Sequence, residues 1–317
     1  MKELAKAILK GDQRAVAQGI SLVENKIDQA QMLMRELFSY TNEAVVIGVT
    51  GVPGSGKSTL VDQMIDWYRN KNMKLGIVAV DPSSPFTGGA VLGDRIRMMR
   101  HSTDPGVFIR SMATRGYLGG VAKSTGEAVT ILEASGKEII LVETVGVGQD
   151  EVEVISLADV IIVVLIPGEG DDIQIFKAGL MEIADIFVLN KSDSVHSEKI
   201  ETRLRALLEL DSNKKTPPTV FKTVATTGDG VDSLMKNLVK YYSVMHPDVL
   251  VSRRKKMIAK MLKEIINVKI QKNISGCLGD FEYSDFVDKI YHKEIDPYTA
   301  ADMIINRSTE DENDKGD

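Results

Sequence analysis

The sequence predicts an α/β protein with a doubly wound, mostly parallel sheet, preceded and followed by helical segments. Between residues 44 and 243, short apolar runs alternate with stretches of helical periodicity that are long enough to serve as crossover helices. Several of these runs, such as Val45–Val49, are rich in Val and Ile without polar alternation, which is typical of strands buried on both faces. Sheets of this kind carry their sites at the carboxyl ends of the strands, so the residues that follow each run are the candidates for a functional site.

The elements can be placed in order along the chain. Residues 1–40 are predicted to be helical, with a break at Gly11-Asp12 where Asp12 serves as an N-cap. A third helix is expected to pack its apolar residues, Ile27, Met32, Leu33, Leu37 and Phe38, against the main domain. The predicted strands are 44–50, 74–80, 106–110, 138–143, 160–166, 185–190 and 219–224.

The chain changes character after residue 246. Apolar residues from Met257 to Ile266 repeat at i, i+1, i+4 and i+5, which predicts one stripe on a long helix. The basic run Arg253–Lys256 is interpreted as a solvated face rather than a nucleic-acid patch, because the chain is acidic overall. Ser308–Asp317 is expected to be disordered. We therefore divide the chain into an N-terminal helical extension (1–40), a main domain (41–246) and a C-terminal helical arm with a disordered acidic tail (247–317).

Composition excludes several classes of protein. The chain has 317 residues and a net charge of −6, which gives no overall attraction to nucleic acid or anionic membranes. Its single cysteine, Cys277, excludes an intrachain disulfide framework and a Cys-rich metal site, and the histidines are scattered without ligand spacing. No apolar run is long enough to span a membrane, and the first residues lack the apolar core of a signal peptide. We therefore expect a cytoplasmic protein.

A glycine-rich segment directly follows the first predicted strand and precedes a predicted helix. It reads Gly51-Val52-Pro53-Gly54-Ser55-Gly56-Lys57-Ser58-Thr59, which has the spacing G-x-x-x-x-G-K-[ST]. Glycines allow backbone N–H groups to turn toward phosphate oxygens, and the start of the helix adds its positive dipole end. Lys57 can reach the β- and γ-phosphates, and Ser58 can offer its hydroxyl to Mg²⁺. The segment predicts a nucleoside triphosphate site.

The base is indicated by Asn190-Lys191-Ser192-Asp193, at the end of the strand 185–190. In N-K-x-D, the Asp carboxylate can accept hydrogen bonds from guanine N1–H and the exocyclic amine, and adenine offers no such pair of donors. Four residues alone could be an ordinary polar loop. At a strand end and downstream of a phosphate loop, the pattern favours GTP.

Acidic residues at other strand ends are candidates for the Mg²⁺ shell. Glu143 begins Glu143-Thr144-Val145-Gly146, where many GTPases have Asp, and it can still reach Mg²⁺ through water. Asp81 and Asp94 flank a segment containing Gly88-Gly89 that could order around the metal as a switch, although both could instead be solvated loop acids.

Two further features bear on the rate of hydrolysis. Val147 occupies the position where several GTPases carry a water-orienting Gln, and Gln149 lies two residues further on, so slow intrinsic hydrolysis is expected. The segment after the strand 160–166 contains Gly168, Gly170, Asp171, Asp172, Gln174 and Lys177, and it could act as a third switch in which Lys177 supplies positive charge. Its acids could equally stabilise a helix N-terminus.

These motifs together resemble the MeaB/ArgK family, the G-protein chaperones of methylmalonyl-CoA mutase and related cobalamin-dependent acyl-CoA mutases. The resemblance covers about residues 3–270 and also rests on Asp81-Pro82-Ser83-Ser84, Leu92-Gly93-Asp94, Gly170-Asp171-Asp172-Ile173-Gln174 and Met181-Glu182-Ile183-Ala184-Asp185. It implies a homodimer formed largely by the C-terminal arm, GTP hydrolysis stimulated by the mutase, and a role in adenosylcobalamin delivery, in mutase protection, or in both. An adenosyltransferase would be a further partner.

The resemblance also assigns roles to particular residues. Ser58, Asp81, Asp94 and Glu143 would surround Mg²⁺, and Asp171, Gln174 and Lys177 would couple the partner to hydrolysis. Ala225-Thr226-Thr227 occupies the position of the family's Ser-Ala loop that contacts the base, and this departure affects the expected side-chain contacts, whereas backbone contacts could survive.

Three alternatives compete with this interpretation. A nickel-insertion GTPase would need Cys and His metal stations, which one Cys and scattered His do not supply. A kinase or ATPase associated with amino-acid transport would use ATP, which the Asn190-Lys191-x-Asp193 motif opposes. A nucleotide-gated binding module without hydrolysis is disfavoured by the intact Lys57, Ser58 and acidic residues.

Overall fold

The computed structural model describes residues 1–25, 27–41, 44–81, 98–113, 120–144, 154–167, 180–210, 218–245, 247–277 and 280–313. The chain divides into two compact units, Met1–Met257 and Ile258–Asp317. Within the residues described, none of the helices has both the length and the hydropathy of a transmembrane span.

The first unit is built on a sheet of seven strands. They are β1 (Val45–Gly51), β2 (Leu75–Asp81), β3 (Val107–Ala113), β4 (Ile139–Thr144), β5 (Val160–Leu165), β6 (Ile186–Asn190) and β7 (Thr219–Thr223). Their order is β3-β2-β4-β1-β5-β6-β7, and every neighbouring pair is parallel. Each strand overlaps its predicted range, so the prediction of a doubly wound parallel sheet is confirmed.

The helices of the first unit lie between these strands and ahead of them. They are α1 (Lys2–Leu9), α2 (Gln13–Asn25), α3 (Ile27–Leu37), α4 (Lys57–Arg69), α5 (Gly120–Ala134), α6 (Leu180–Ile183), α7 (Ser197–Leu210) and α8 (Val231–Val244), with short 3₁₀ turns at Phe38–Tyr40 and Met99–His101. The predicted N-cap of α2 is confirmed, because Asp12 Oδ1 accepts a hydrogen bond of 2.8 Å from the N–H of Ala15.

Both faces of the sheet are covered by helices. One apolar core joins the sheet to α1, α2, α3, α5 and α7, and the other joins it to α4 and α8. Strand β4 shows why its sequence has no polar alternation. Ile140 and Val142 lie in the first core, whereas Ile139 and Leu141 lie in the second. Burial on both faces requires an apolar residue at every position.

Two of the apolar residues expected to pack from the third helix do not do so. Leu33 and Leu37 are fully buried, but Met32 and Phe38 are 59% and 58% exposed. Leu33 and Leu37 are four residues apart and share one face, whereas Met32 is rotated by about 100° from Leu33. Phe38 lies beyond the end of α3, in the 3₁₀ turn.

The remaining helices are α9 (Pro247–Cys277), α10 (Asp280–Tyr291) and α11 (Pro297–Asn313). The predicted long helix is confirmed as α9. We placed the start of the arm at residue 247, but the division between compact units falls later, after Met257 and inside α9. Helix α11 continues to Asn313, and the expected disorder of the acidic tail stays a prediction.

The prediction of a solvated basic face is wrong for Arg253 and Arg254. Both side chains are partly buried and form ion pairs with Asp185 and Asp159. Their neighbours Lys255 and Lys256 are exposed, in agreement with the prediction.

Candidate nucleotide-binding site

The glycine-rich segment lies at the centre of the carboxyl edge of the sheet. It leaves β1, which is flanked by β4 and β5. Val49 is in register with Glu143 of β4, and Gly51 is in register with Val164 of β5. Because all three strands are parallel, the residues that follow them meet at one edge, where doubly wound sheets bind ligands.

Two positions in the segment require glycine. Gly51 has φ of 148°, and a Cβ atom there would lie 2.1 Å from the carbonyl oxygen of Val164. Gly56 has φ of 85°, and a Cβ atom there would lie 2.4 Å from Nδ2 of Asn190. Close approach to β5 and to Asn190 thus explains these glycines physically. Helix α4 starts at Lys57, so its N-terminal amides face the segment and favour an anion.

Lys57 is held inside this loop. Its side chain is buried, and Nζ donates hydrogen bonds of 2.8 Å to the carbonyl of Gly51 and 3.1 Å to that of Val52. These carbonyls keep the ammonium group within the turn formed by the loop. The positive charge is therefore placed among the backbone groups that the motif predicts will surround phosphates.

Ser58 and Glu143 form the centre of the predicted metal site. Glu143 is the penultimate residue of β4 and is only 1% exposed, and its Oε1 accepts a hydrogen bond of 2.7 Å from Ser58 Oγ. A carboxylate and a hydroxyl in contact are hard oxygen ligands of the kind that Mg²⁺ uses. In the described part of the chain, no group of three or more His, Cys, Asp or Glu residues could hold a metal ion. Mg²⁺ is commonly held by few protein ligands together with waters and phosphates, so the Ser58–Glu143 pair fits it.

Of the other two predicted metal ligands, the structure describes the backbone of Asp81 and does not describe Asp94. Asp81 is the last residue of β2, and the preceding Val80 is in register with Thr144, the residue after Glu143. Its backbone is thus at the same edge as Glu143. Asp94 lies outside the described residues, as do Gln149, Asp171, Gln174 and Lys177.

Asn190 connects the phosphate loop to the loop that follows β7. The side chain is buried, and its Nδ2 donates a 2.8 Å hydrogen bond to the carbonyl of Ser55. Its Oδ1 accepts hydrogen bonds from the N–H of Ala225 at 3.0 Å and from Thr223 Oγ1 at 3.1 Å. The Ala225 amide is thus bonded to Asn190, and contact of residues 225–227 with the base stays a prediction. Thr226 and Thr227 are exposed beside it.

The next residues of the same motif also face the phosphate loop. Lys191 adopts a left-handed backbone conformation with φ of 55°, and its Nζ donates a 2.9 Å hydrogen bond to the carbonyl of Gly54. Asp193 lies exposed in the turn after β6. The fold thus brings the two predicted motifs into direct contact through Asn190 and Lys191, which lie 135 and 137 residues after their partners Ser55 and Gly54.

Sequence reasoning missed Thr223. This residue belongs to no motif, but it is in register with Asn190 across the β6–β7 pair. Its hydroxyl fixes the orientation of the Asn190 amide. The available signal was only its position at the end of the strand next to β6, which becomes informative once the strand order is known.

A parallel sheet with a central phosphate loop after β1, joined to an Asn-Lys-x-Asp loop at the end of β6, two strands away, defines a P-loop GTPase domain. The family model described as "Methylmalonyl Co-A mutase-associated GTPase MeaB" matches residues 16–277. The chain therefore belongs to the MeaB family, and the resemblance noted in the sequence is confirmed.

Individual relatives agree with this assignment. A Pyrococcus horikoshii protein that bears a GTPase name is 46% identical over 310 residues, which cover 96% of this chain and 97% of that protein. The mouse protein "Methylmalonic aciduria type A homolog, mitochondrial" is 30% identical over 319 residues, covering 94% of this chain and 77% of that protein. A crystal structure of an LAO/AO transport system kinase superposes with a TM-score of 0.69 at 22% identity, covering 96% of this chain and 95% of that one. That last likeness supports the fold.

Proposed function

We propose that this chain is a GTP-hydrolysing chaperone of methylmalonyl-CoA mutase or a related cobalamin-dependent acyl-CoA mutase, whose adenosylcobalamin delivery it gates and which it protects. The observation that carries the proposal is the family match across residues 16–277, which includes the phosphate loop and the Asn190 loop. The name of the mouse relative, which refers to methylmalonic aciduria, supports a link to the same metabolism. We place this activity in the cytoplasm.

Each group of residues at the site would have its own role in GTP binding and hydrolysis. Loop amides and Lys57 bind the phosphates, and Asp193 selects guanine. Ser58, Glu143, Asp81 and Asp94 would hold Mg²⁺, which when bound neutralises charge on the phosphate oxygens. Without a water-orienting Gln directly after Gly146, hydrolysis by the chain alone is slow, and Gln149 is the nearest candidate for that task.

The choice of nucleotide tests this proposal most directly. By calorimetry, the protein should bind GDP and GTP far more tightly than ADP and ATP. Asp193→Asn should weaken GDP binding and shift preference toward xanthosine diphosphate, because Asn can donate to the carbonyl that replaces the guanine amine. Xanthosine diphosphate is the internal control, since its recovery in the variant shows that the fold is intact. Equal affinity of the wild-type protein for ATP and GTP would contradict the assignment.

Stimulation by the mutase would act through the segment 168–177. We infer that a docked mutase moves Lys177 or Gln174 toward the phosphates, with Asp171 in the same coupling segment. Positive charge supplied in this way is effective, since trans-acting arginines raise GTPase rates on the order of 10³–10⁵.

Lys177→Ala should therefore erase stimulation by the mutase while leaving nucleotide affinity and basal hydrolysis nearly unchanged. Lys199→Ala, an exposed lysine on α7, is the matched control. Single-turnover hydrolysis with and without the mutase is the measurement. A Lys177→Ala protein that responds fully to the mutase would remove this segment from the mechanism, and a loss of basal hydrolysis would make Lys177 a constitutive catalytic group.

The C-terminal arm is proposed to form a homodimer. Ile258, Leu262, Ile266 and Ile270 recur every four residues on α9 and are 43–55% exposed. Four large aliphatic side chains in one stripe on a helix are typical of a helix-pairing surface. An adenosyltransferase that loads the cofactor is a further proposed partner.

A further inference from the structure

Two sequence features take no part in the nucleotide site. One is Asp185, which ends the Met181–Asp185 motif, and the other is the basic run Arg253–Lys256. The structure joins them at the amino edge of the sheet, opposite the nucleotide edge. There Asp185 directly precedes β6, and Asp159 directly precedes β5.

Asp185 receives bonds from three elements besides its own. Its oxygens pair with both terminal nitrogens of Arg253, with Nη2 2.6 Å from Oδ1 and Nη1 2.7 Å from Oδ2. Tyr241 of α8 donates to Oδ1 at 2.8 Å, and the N–H of Ile161 in β5 donates to Oδ2 at 2.9 Å. A single carboxylate thus binds α8, α9 and the neighbouring strand.

Asp159 repeats this arrangement one strand closer to the centre. Arg254 donates from Nε to Oδ1 at 2.8 Å and from Nη2 to Oδ2 at 2.7 Å. The N–H of Val46 in β1 donates to Oδ2 at 3.0 Å. Arg254 also donates to the carbonyl of Ala44 at 2.9 Å, and Arg253 donates to the carbonyl of Asp159 at 2.8 Å. We call Arg253, Arg254, Asp159 and Asp185 the arginine clamp.

The clamp differs from an ordinary surface ion pair in burial and geometry. The Asp185 and Asp159 side chains are 5% and 7% exposed, and both arginines bind in the two-pronged mode that fixes direction as well as distance. The hydrogen bond to Asp185 raises the pKa of Arg253, and the bond to Asp159 raises that of Arg254. Burial, followed by the Asp185 charge, raises the pKa of Tyr241 to about 12. The two arginines therefore stay charged across the physiological range.

The position of the clamp in the chain suggests its purpose. Arg253 and Arg254 belong to the last residues of the first compact unit, which ends at Met257. Helix α9 continues without interruption to Cys277, carrying the exposed stripe that begins at Ile258. The clamp thus anchors the N-terminal part of α9, residues 247–257, to the sheet.

We propose that the arginine clamp is the positioning site of the C-terminal arm, so that contacts made by the arm depend on it and nucleotide binding does not. The inference rests on the proposed homodimer for its functional readout. Its structural readout, the anchoring of residues 247–257, is independent of that proposal.

The test compares two double variants of adjacent residues on the same helix. Arg253→Met/Arg254→Met removes the clamp, and Lys255→Met/Lys256→Met removes equal charge from exposed positions. Each full-length protein is examined by hydrogen exchange, by sedimentation velocity across a concentration series, and by GDP calorimetry. Fluorescence of Trp67, the single tryptophan, confirms that the first unit is folded under the same conditions.

For the clamp variant, we expect amide protection in residues 247–257 to fall by about tenfold or more, since the N-terminal part of α9 would open locally once it is no longer anchored. Its dimer should weaken by about tenfold or more, within the usual range of coupling between sites. GDP affinity should stay within about twofold of the wild type, as expected for distant, independent positions. The control variant Lys255→Met/Lys256→Met should match the wild type in amide protection, dimer affinity and GDP affinity. Arg253→Lys/Arg254→Lys, which keeps charge without the paired geometry, should fall between the two.

Unchanged protection of residues 247–257 in the clamp variant would overturn the proposal, as would equal dimer weakening in the lysine variant. A fall in GDP affinity as large as the fall in dimer affinity would also overturn it. If the wild type is monomeric at every concentration, the proposed homodimer fails, and hydrogen exchange alone still decides whether the clamp anchors α9.

Discussion

The two edges of the sheet both carry buried acids, but the acids have different neighbours. At the carboxyl edge, Glu143 contacts the hydroxyl of Ser58. At the amino edge, within the described residues, three aspartates lie just before a strand and each forms a two-pronged pair with an arginine; Asp159 and Asp185 are buried, and Asp104 is partly exposed. These pairs are Asp104–Arg69 before β3, Asp159–Arg254 before β5 and Asp185–Arg253 before β6.

The difference shows which edge is built to bind a ligand and which is built to hold the fold. A carboxylate that contacts a hydroxyl can take a hard cation, because the hydroxyl is itself a ligand for the same ion. A carboxylate already neutralised by a guanidinium has its lone pairs committed, and separating the pair leaves an uncompensated buried charge. Substitutions at the carboxyl edge should therefore affect activity, and those at the amino edge should affect stability.

The largest expected effect is that of Lys57→Ala on GTP hydrolysis. Loss of a preorganised positive donor in an active site lowers the turnover number by about 10²–10³. The free energy of unfolding should change by about 1 kcal/mol or less, because the lost hydrogen bonds go to two loop carbonyls. Phosphate release and urea unfolding measure the two effects, with Lys199→Ala as the exposed control. Undiminished hydrolysis in Lys57→Ala would show that the carboxyl edge is not the site of GTP hydrolysis.

An intermediate effect is expected for Asp159→Asn at the amino edge. The variant loses the charge that pairs with Arg254 but keeps an oxygen for the Val46 amide, so the first unit should be destabilised by about 2 kcal/mol. Urea unfolding followed by Trp67 fluorescence reports this unit, while hydrolysis measured in the folded range should be unaffected. Glu3→Gln, in an exposed pair with Lys6, is the control and should shift stability by less than about 0.5 kcal/mol. A destabilisation no larger than that of the control would mean that burial does not distinguish the clamp from surface pairs.

Most of the carboxyl edge could be predicted because its signals are local. Gly51 and Gly56 satisfy steric demands of a short loop, and apolar runs such as Ile139–Val142 identify strands buried on both faces. Motif spacing then placed Lys57 and Ser58 in the segment after β1 and Asn190 at the end of β6, and the fold brings the two motifs together. Thr223 was missed because its role depends on strand order, which no local pattern specifies.

The amino edge could not be predicted because its partners are distant in sequence. Arg253 lies 68 residues from Asp185, and Arg254 lies 95 residues from Asp159. A run of four basic residues has the same composition whether it is solvated or paired, so the prediction of a solvated face followed composition and was wrong for the arginines. Lys255 and Lys256 are exposed because the helix turns them away, which is a property of the docked helix rather than of the sequence pattern.

The smallest expected effect concerns the outermost pair of the amino edge, Asp104–Arg69. Hydrogen bonds from Arg69 lower the pKa of Asp104 below its ordinary value of 3.8 in the folded protein. A lowered folded pKa means that the pair stabilises the fold above pH 3.8 and that this contribution is lost as pH falls from 3.8 through the folded value. Both side chains are about a quarter exposed, at 22% and 28%, so solvent screening limits the contribution to less than about 1 kcal/mol.

Asp104→Asn should therefore lower stability slightly at pH 7 and make the decline below pH 3.8 shallower than in the wild type. Arg69→Met should also make the decline of stability below pH 3.8 shallower. The double variant should change this decline little further, because both substitutions remove the same ion pair. Urea unfolding by Trp67 fluorescence at closely spaced pH values measures all three. Equal acid slopes in the wild type and Asp104→Asn would show that this outer pair does not share the role of the buried pairs at Asp159 and Asp185. The stabilising function of the amino edge would then be confined to the acids that anchor α9.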